Sequence, residues 1–292
     1  MLIDTCTHLN FESFENDYKE VIERALEKEI WLIIVGINLN SSLKAVKIAE
    51  EYPKGVYAAV GLHPLSISYQ KKEKEFTFFE KTEKDKEIKK FDIKNYQKLL
   101  EHPKLVAIGE VGLDFHHFPQ GKEELKIFQA QNLKRIQKEI LKQFLKISKI
   151  SRMPLILHCR DAHLELIKIL HYFDLNSKGF DTRGIIHNFN GGWEEAKRYL
   201  NLDFLLSFTG LITHAHFEGE VIVKTPLKKI ALETNSPYMT PEPYRTKRNE
   251  PENLIYIAEK IAFLKKEPLS LFINQVNKNV LKMFPKIRND LI

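Results

Sequence analysis

The 292 residues are 43% hydrophobic and 29% charged, enough apolar material for a sizeable core and composition that argues against disorder over most of the length. The formal charge of +6, from 45 basic and 39 acidic residues, permits a polyanionic partner without demanding one. Two cysteines, Cys6 and Cys159, exclude a disulfide framework. With no apolar run long enough to span a membrane and no signal-peptide pattern, they make a cytoplasmic, monomeric protein the expectation.

In chain order, eight short runs rich in Ile, Val and Leu are predicted as buried strands. They are Leu2 to Thr5, Trp31 to Gly36, Val56 to Gly61, Leu105 to Gly109, Leu155 to His158, Gly184 to His187, Phe204 to Ser207, and Ile230 to Glu233. Helix-like stretches separate them. The longest runs from about Lys122 to Ile150, where Leu125, Phe128, Leu133, Ile136, Ile140 and Phe144 advance mostly by three or four residues and share a face. Eight strands alternating with helices predict an α/β fold, a (β/α)₈ TIM barrel forming one domain over 1–292. An open doubly wound sheet is the alternative, but no glycine-rich dinucleotide fingerprint follows the first strand. Residues 69–95 are dense in Lys and Glu, with Phe76, Phe78 and Phe79 inside. This reads as an insertion after the third strand, near the barrel mouth. Two readings fit it: a solvated helical excursion with an aromatic patch folded onto the body, or a lid or nucleic-acid-contacting loop. After Pro251 two helices are predicted, ending near Met283.

Histidines and carboxylates gather at the predicted strand ends. His8 follows the first strand, His63 the third, Glu110 the fourth, His158 the fifth, His187 the sixth and Glu233 the eighth. A barrel places its active site at the C-terminal ends of its strands, from groups on several strands. One histidine at such a place is more often structural than functional. Three histidines and a glutamate on four strands instead match the donor mix of a divalent-metal hydrolase. Strand parity puts Cys6 on the face of His8, and Arg160 on the face of His158, with Cys159 on the opposite face. Cys159 therefore reads as a packed small hydrophobe. Cys6 is either packed likewise or a thiolate ligand beside His8, which would shift preference toward zinc. Arg160 can fork onto phosphate or pair with Asp161 or Glu233. Arg245, Lys247 and Arg248 form a basic loop that can steer a nucleic-acid backbone or cap the next helix.

Leu2-Ile3-Asp4-Thr5, Gly61-Leu62-His63-Pro64, Ala107 to Asp114, His158 to His163, Glu233 to Tyr238 and Arg248-Asn249-Glu250-Pro251, in this order and spacing, resemble the TatD family of metal-dependent deoxyribonucleases. The likeness runs from Met1 to about Phe284. It implies a TIM barrel, one or two divalent ions (Mg, Mn or Zn), and hydrolysis of DNA phosphodiesters, often at single-stranded or 3′ ends. It also implies metal ligation by His8, Glu110, His158 and His187, with the family's final aspartate falling at Asn235 and the first histidine of its His-x-His at Cys6. Catalytic roles would fall to Glu110, Arg160 and position 235, and substrate contacts to His63, Arg160 and Arg248. The amide of Asn235 can coordinate a cation but cannot take a proton, so weak nuclease activity is expected. Two alternatives remain open: a barrel that has lost catalysis and binds nucleic acid or protein, and a hydrolase of small phosphoesters or amides.

Overall fold

The computed structural model describes residues 1–72, 75–81, 88–118, 123–175, 183–215 and 219–291. Its strands are β1 (Leu2–Thr7), β2 (Ile30–Val35), β3 (Val56–Val60), β4 (Ile67–Lys72), β5 (Glu75–Lys81), β6 (Ile88–Lys90), β7 (Leu105–Asp114), β8 (Leu155–Arg160), β9 (Gly184–Ile186), β10 (Leu205–Phe208) and β11 (Ile230–Leu232). Eight of them pair in parallel in the order β1-β2-β3-β7-β8-β9-β10-β11, and these are the eight runs predicted. The sheet curls into a nearly closed barrel. At the seam, Asn235 N–H donates to the Cys6 carbonyl at 2.9 Å and His8 N–H to the Ser236 carbonyl at 2.8 Å. Below them the buried Asp4 carboxylate accepts from Thr234 N–H at 2.9 Å and from the Thr234 hydroxyl at 2.5 Å.

Alternation along the strands divides the core in two. Ile33, Val35, Tyr57, Ala59, Ile156, Ile185, Leu205 and Ala231 face the barrel interior. Their sequence neighbours Leu32, Ile34, Ala58, Leu155, Leu157, Ile186, Leu206 and Leu232 face the helices, as a period of two requires. Each fully buried Ile or Leu contributes about 1.5–3 kcal/mol. Helices α1 (Tyr18–Glu27), α2 (Leu39–Glu50), α3 (Ile93–Gln97), α4 (Glu124–Ser151), α5 (His163–Leu175), α6 (Trp193–Asn201) and α7 (Glu220–Lys224) each precede the next barrel strand. Asn38 starts α2 through a capping box, accepting from Ser41 N–H at 2.8 Å. After the last strand come α8 (Leu254–Lys265), α9 (Leu269–Met283) and α10 (Pro285–Arg288). Val280, Met283, Phe284 and Ile287 from α9 and α10 join the interior cluster, closing the end of the barrel opposite the strand C-termini.

Two expectations are corrected. Strand β7 does not stop at Gly109 but runs to Asp114. A register shift between Ile108 and Val111 lets it continue beside β8. Gly112 makes this possible: its φ is 156°, and a Cβ there would lie 1.9 Å from the His158 carbonyl oxygen. The helical reading of the 69–95 insertion also fails. Its described residues form an antiparallel sheet, β4-β5-β6, with Ile67 opposite Glu80 and Phe79 opposite Lys90. The Phe-Thr-Phe-Phe run favours extended pairing over the helix that its Lys and Glu content suggested. The side chains of Phe76, Phe78 and Phe79 lie outside the described residues. Ile67 and Phe91, at the two feet of the insertion, are buried in the outer core.

Candidate metal centre

The interior-facing series of each strand continues upward into polar residues. Beyond Ile156 come His158 and Arg160, beyond Ile185 comes His187, and beyond Ala231 comes Glu233. On β1 a one-residue register shift between Asp4 and Thr7 turns Cys6 and His8 inward. His8, His158, Arg160 and His187 meet in a cavity of about 580 Å³ at the C-terminal ends of the strands. His8, His63, Glu110, Asp114, His158, Arg160, His187, Asn188 and Asn235 line it, with Phe11, Leu65, Leu211 and Tyr238 as its apolar wall.

Glu110 is the hub. Its Oε1 lies 2.8 Å from His158 Nδ1, 3.3 Å from His63 Nε2 and 3.6 Å from His187 Nε2, and its Oε2 lies 3.7 Å from His8 Nε2. Burial works to raise the Glu110 pKa, but the His187 and His63 imidazoles and the His158 hydrogen bond hold it well below the usual carboxylate value. Burial likewise opposes charge on His187, yet Glu233, Cys6 and Glu110 hold its pKa well above that of a free imidazole. His158 is raised too, against the effect of burial, by hydrogen bonds to Asp114 and Glu110. Burial depresses His8 and His63. A proton on any of these imidazoles competes with a cation entering the centre, so binding strengthens as pH rises.

The outer contacts fix which nitrogen of each ring points inward. His8 Nδ1 faces the Val35 carbonyl at 3.0 Å. A carbonyl only accepts, so Nδ1 carries the proton and the Nε2 lone pair faces Glu110. Asp114, fully buried, accepts from His158 Nε2 at 3.0 Å, which turns Nδ1 toward Glu110, to which it donates at 2.8 Å; a cation there would take the place of that Nδ1 proton. His63 is the opposite case. Leu65 N–H donates to its Nδ1 at 3.1 Å, so neutral His63 presents an N–H at Nε2 and serves as a donor into the cavity.

The donor set fits a divalent cation. Ligand atoms of Cys6, His8 and Glu110 lie within 4.8 Å of one another, as do those of Cys6, His187 and Glu233, and those of His63, Glu110 and His158. One buried atom beside them, Glu233 Oε2, has no hydrogen-bond partner among the described residues. The other oxygen, Glu233 Oε1, lies 2.9 Å from His187 Nδ1 and also accepts from Asn188 N–H at 2.5 Å. Buried polar atoms are rarely left unpaired, and a bound ion would satisfy Glu233 Oε2.

Of the residues singled out from sequence, His8, His63, Glu110, His158, Arg160, His187 and Asn235 line this cavity. Cys6 lies beneath it, fully buried. Arg160 pairs with neither Asp161 nor Glu233: Asp161 binds His116 Nδ1 at 2.8 Å, and among the described residues the Arg160 guanidinium has no partner. Asn235 adopts φ 54°, a backbone state that Asn tolerates better than most residues. Arg248 is not brought to the cavity. Its guanidinium forks onto Asp17 at 2.9 and 2.5 Å, donates to the Ser13 carbonyl at 2.7 Å and to Glu250 at 2.8 Å, and stacks over Phe14. Sequence reasoning assigned no role to Asp114. The available signal was parity, because Asp114 stands four residues past Glu110 on the same strand face.

Comparison with known proteins agrees with this geometry. The family described as TatD related DNase matches residues 3–285. The chain is 34% identical to an uncharacterized metal-dependent hydrolase, YabD, of Bacillus subtilis, over 97% of this chain and 99% of that protein. It is 28% identical to the human protein named deoxyribonuclease TATDN3, over 99% and 96% of the two chains. Among solved structures, the TatD homologue YjjV of Escherichia coli superposes with a TM-score of 0.78 at 27% identity, covering 97% of this chain and 98% of that one. The chain belongs to the TatD family and is a metal-dependent hydrolase.

Proposed function

We propose that the protein is a deoxyribonuclease that hydrolyses phosphodiester bonds, acting on single-stranded DNA or 3′ ends. The observation that carries this reading is the Arg160 guanidinium, which has no partner among the described residues and shares one cavity with the Glu110–histidine cluster. A guanidinium forks onto two phosphate oxygens, and in a low-dielectric pocket it offsets charge that develops on them. The His63 Nε2–H adds a second donor. Tyr238, Leu65 and Leu211 are exposed apolar surface around the mouth, suited to an unstacked base. The printed names of the family and of the human relative point the same way.

His8, Glu110, His158 and His187 would hold the cation. When bound, a divalent ion supplies positive charge against the phosphoryl oxygens and lowers the pKa of a water beside it. The protein must then accept the proton of the attacking water. Asn235 lines the cavity at the position where the resemblance puts the family's final aspartate, but it is an amide, and an amide has no basic site to take the proton. The proton leaves through Glu110, Glu233 or solvent, and turnover is slow. A second reading, a barrel that binds metal and nucleic acid without cleaving, is favoured by the same amide.

The test is cleavage of end-labelled single-stranded DNA with Mg²⁺ or Mn²⁺, with and without chelator. Slow, chelator-sensitive loss of 3′ nucleotides is expected, and Asn235→Asp should raise the rate at least ~10-fold, given what a positioned base contributes. Full metal loading with no cleavage by either protein would leave the binding-only barrel.

A further inference from the structure

The fold treats its two thiols differently. Cys159 is packed in the outer core and accepts from the Tyr199 hydroxyl at 3.7 Å. Cys6 faces the barrel axis. It is fully buried at the top of the interior apolar cluster, and its Sγ lies 3.9 Å from His8 Nε2. The β1 register shift between Asp4 and Thr7 sets this direction. Without the extra residue, Cys6 would follow the outward parity of Asp4.

Sulfur therefore belongs to two of the three donor groups, one with His187 and Glu233 and one with His8 and Glu110. The first group also holds an orphaned atom, Glu233 Oε2, on a residue 0% exposed. Three buried donors, one of them with an unsatisfied oxygen, have ligand atoms within 4.8 Å of one another. The seam brings Asn235 beside Cys6, since its N–H donates to the Cys6 carbonyl. Asn235 is a neutral donor, so a thiolate at position 6 would add its negative charge to that of the Glu233 carboxylate at a cation there.

We propose that Cys6 Sγ is a metal ligand, which with His187 and Glu233 binds a thiophilic divalent cation of the Zn²⁺ type. As the ion binds, the S–H bond breaks, sulfur keeps the electron pair and the proton passes to solvent. No oxidant or reductant is involved. Thiolate is a soft donor that favours zinc and cobalt over magnesium and manganese. The proposal deepens the metal-hydrolase reading of the same centre and does not depend on DNA being the substrate.

The experiment is titration of the metal-free full-length chain with Co²⁺, read by absorption. Wild type and Cys159→Ser are expected to show a sulfur-to-cobalt charge-transfer band in the near ultraviolet, and Cys6→Ser to lack it. Cys6→Ser should also bind Zn²⁺ more weakly, by at least the ~10-fold that loss of an outer-shell partner causes, with Mn²⁺ affinity unchanged. Co²⁺ bound to wild type without the band overturns the proposal, and so does an equal loss of Zn²⁺ and Mn²⁺ affinity. If Cys6→Ser does not fold, wild type and Cys159→Ser decide the matter, because the chain has no third thiol. DNA cleavage without the band would remove this ligand and keep the nuclease. The band without cleavage would do the reverse.

Discussion

Arg160 and Arg248 are both arginines in motif-like runs, and the fold uses them in opposite ways. Arg248 has two carboxylates, a carbonyl and an aromatic face around it. It ties the loop after β11 to the segment before α1. Arg160 has no partner among the described residues and stands over a cavity that holds buried carboxylate and imidazole groups. The contrast extends to their surroundings. Around Arg248 each charge meets its complement. In the metal centre, the buried Glu233 Oε2 has no hydrogen-bond partner among the described residues. Satisfied polar networks hold a fold together, whereas unsatisfied buried groups need an explanation, and a ligand is a common one.

Substitutions can break this contrast, and the largest effect is expected at the hub. Glu110→Gln removes the one carboxylate that reaches four imidazoles. Metal affinity should fall by more than the ~10–100-fold seen for outer-shell losses, as measured by metal content and titration calorimetry. Arg160→Ala should lower kcat/KM on single-stranded DNA by ~100-fold, the scale of losing one charge-stabilising donor. Its melting temperature should stay that of the wild type. A stability loss at Arg160 would mean that the two arginines do not differ in kind.

Arg248→Ala should do the reverse: a stability loss of about 1–3 kcal/mol from its charged hydrogen bonds, with metal binding intact. This effect has a pH window. The hydrogen bond from Arg248 depresses the Asp17 pKa below its unfolded value of 3.8. A depressed carboxyl contributes stability that is present above the unfolded pKa and is lost as pH falls through the folded one. The melting-temperature gap between Arg248→Ala and wild type should therefore be full at pH 6 and shrink below pH 4. A constant gap across that range would place the contribution in the stacking on Phe14 instead.

The barrel was largely legible in the sequence because buried parallel strands are apolar on both faces, and all eight runs became barrel strands. Strand ends were less legible. Gly109 looked like a stop, so the continuation to Asp114, and the carboxylate that orients His158, went unassigned. The insertion was misread because Lys and Glu content resembles a helix surface, while pairing across β4, β5 and β6 is a tertiary matter. The resemblance put Cys6 and Asn235 at one metal shell, but their backbone contact lay beyond the sequence, since only seam closure joins residues 229 positions apart. Arg248 shows the converse: its partner Asp17 lies far upstream, so a basic loop read as a phosphate contact is a structural clamp.

The most direct test of the central claim, that Glu110 and its histidines form a divalent-metal centre, is anomalous diffraction from crystals grown with Mn²⁺ or Zn²⁺. The account predicts a peak at about 2.0–2.2 Å from a Glu110 oxygen and from at least two of His8, His158 and His187. A peak elsewhere in the chain, with Glu110 still hydrogen-bonded to His158 and carrying no ion, would contradict it.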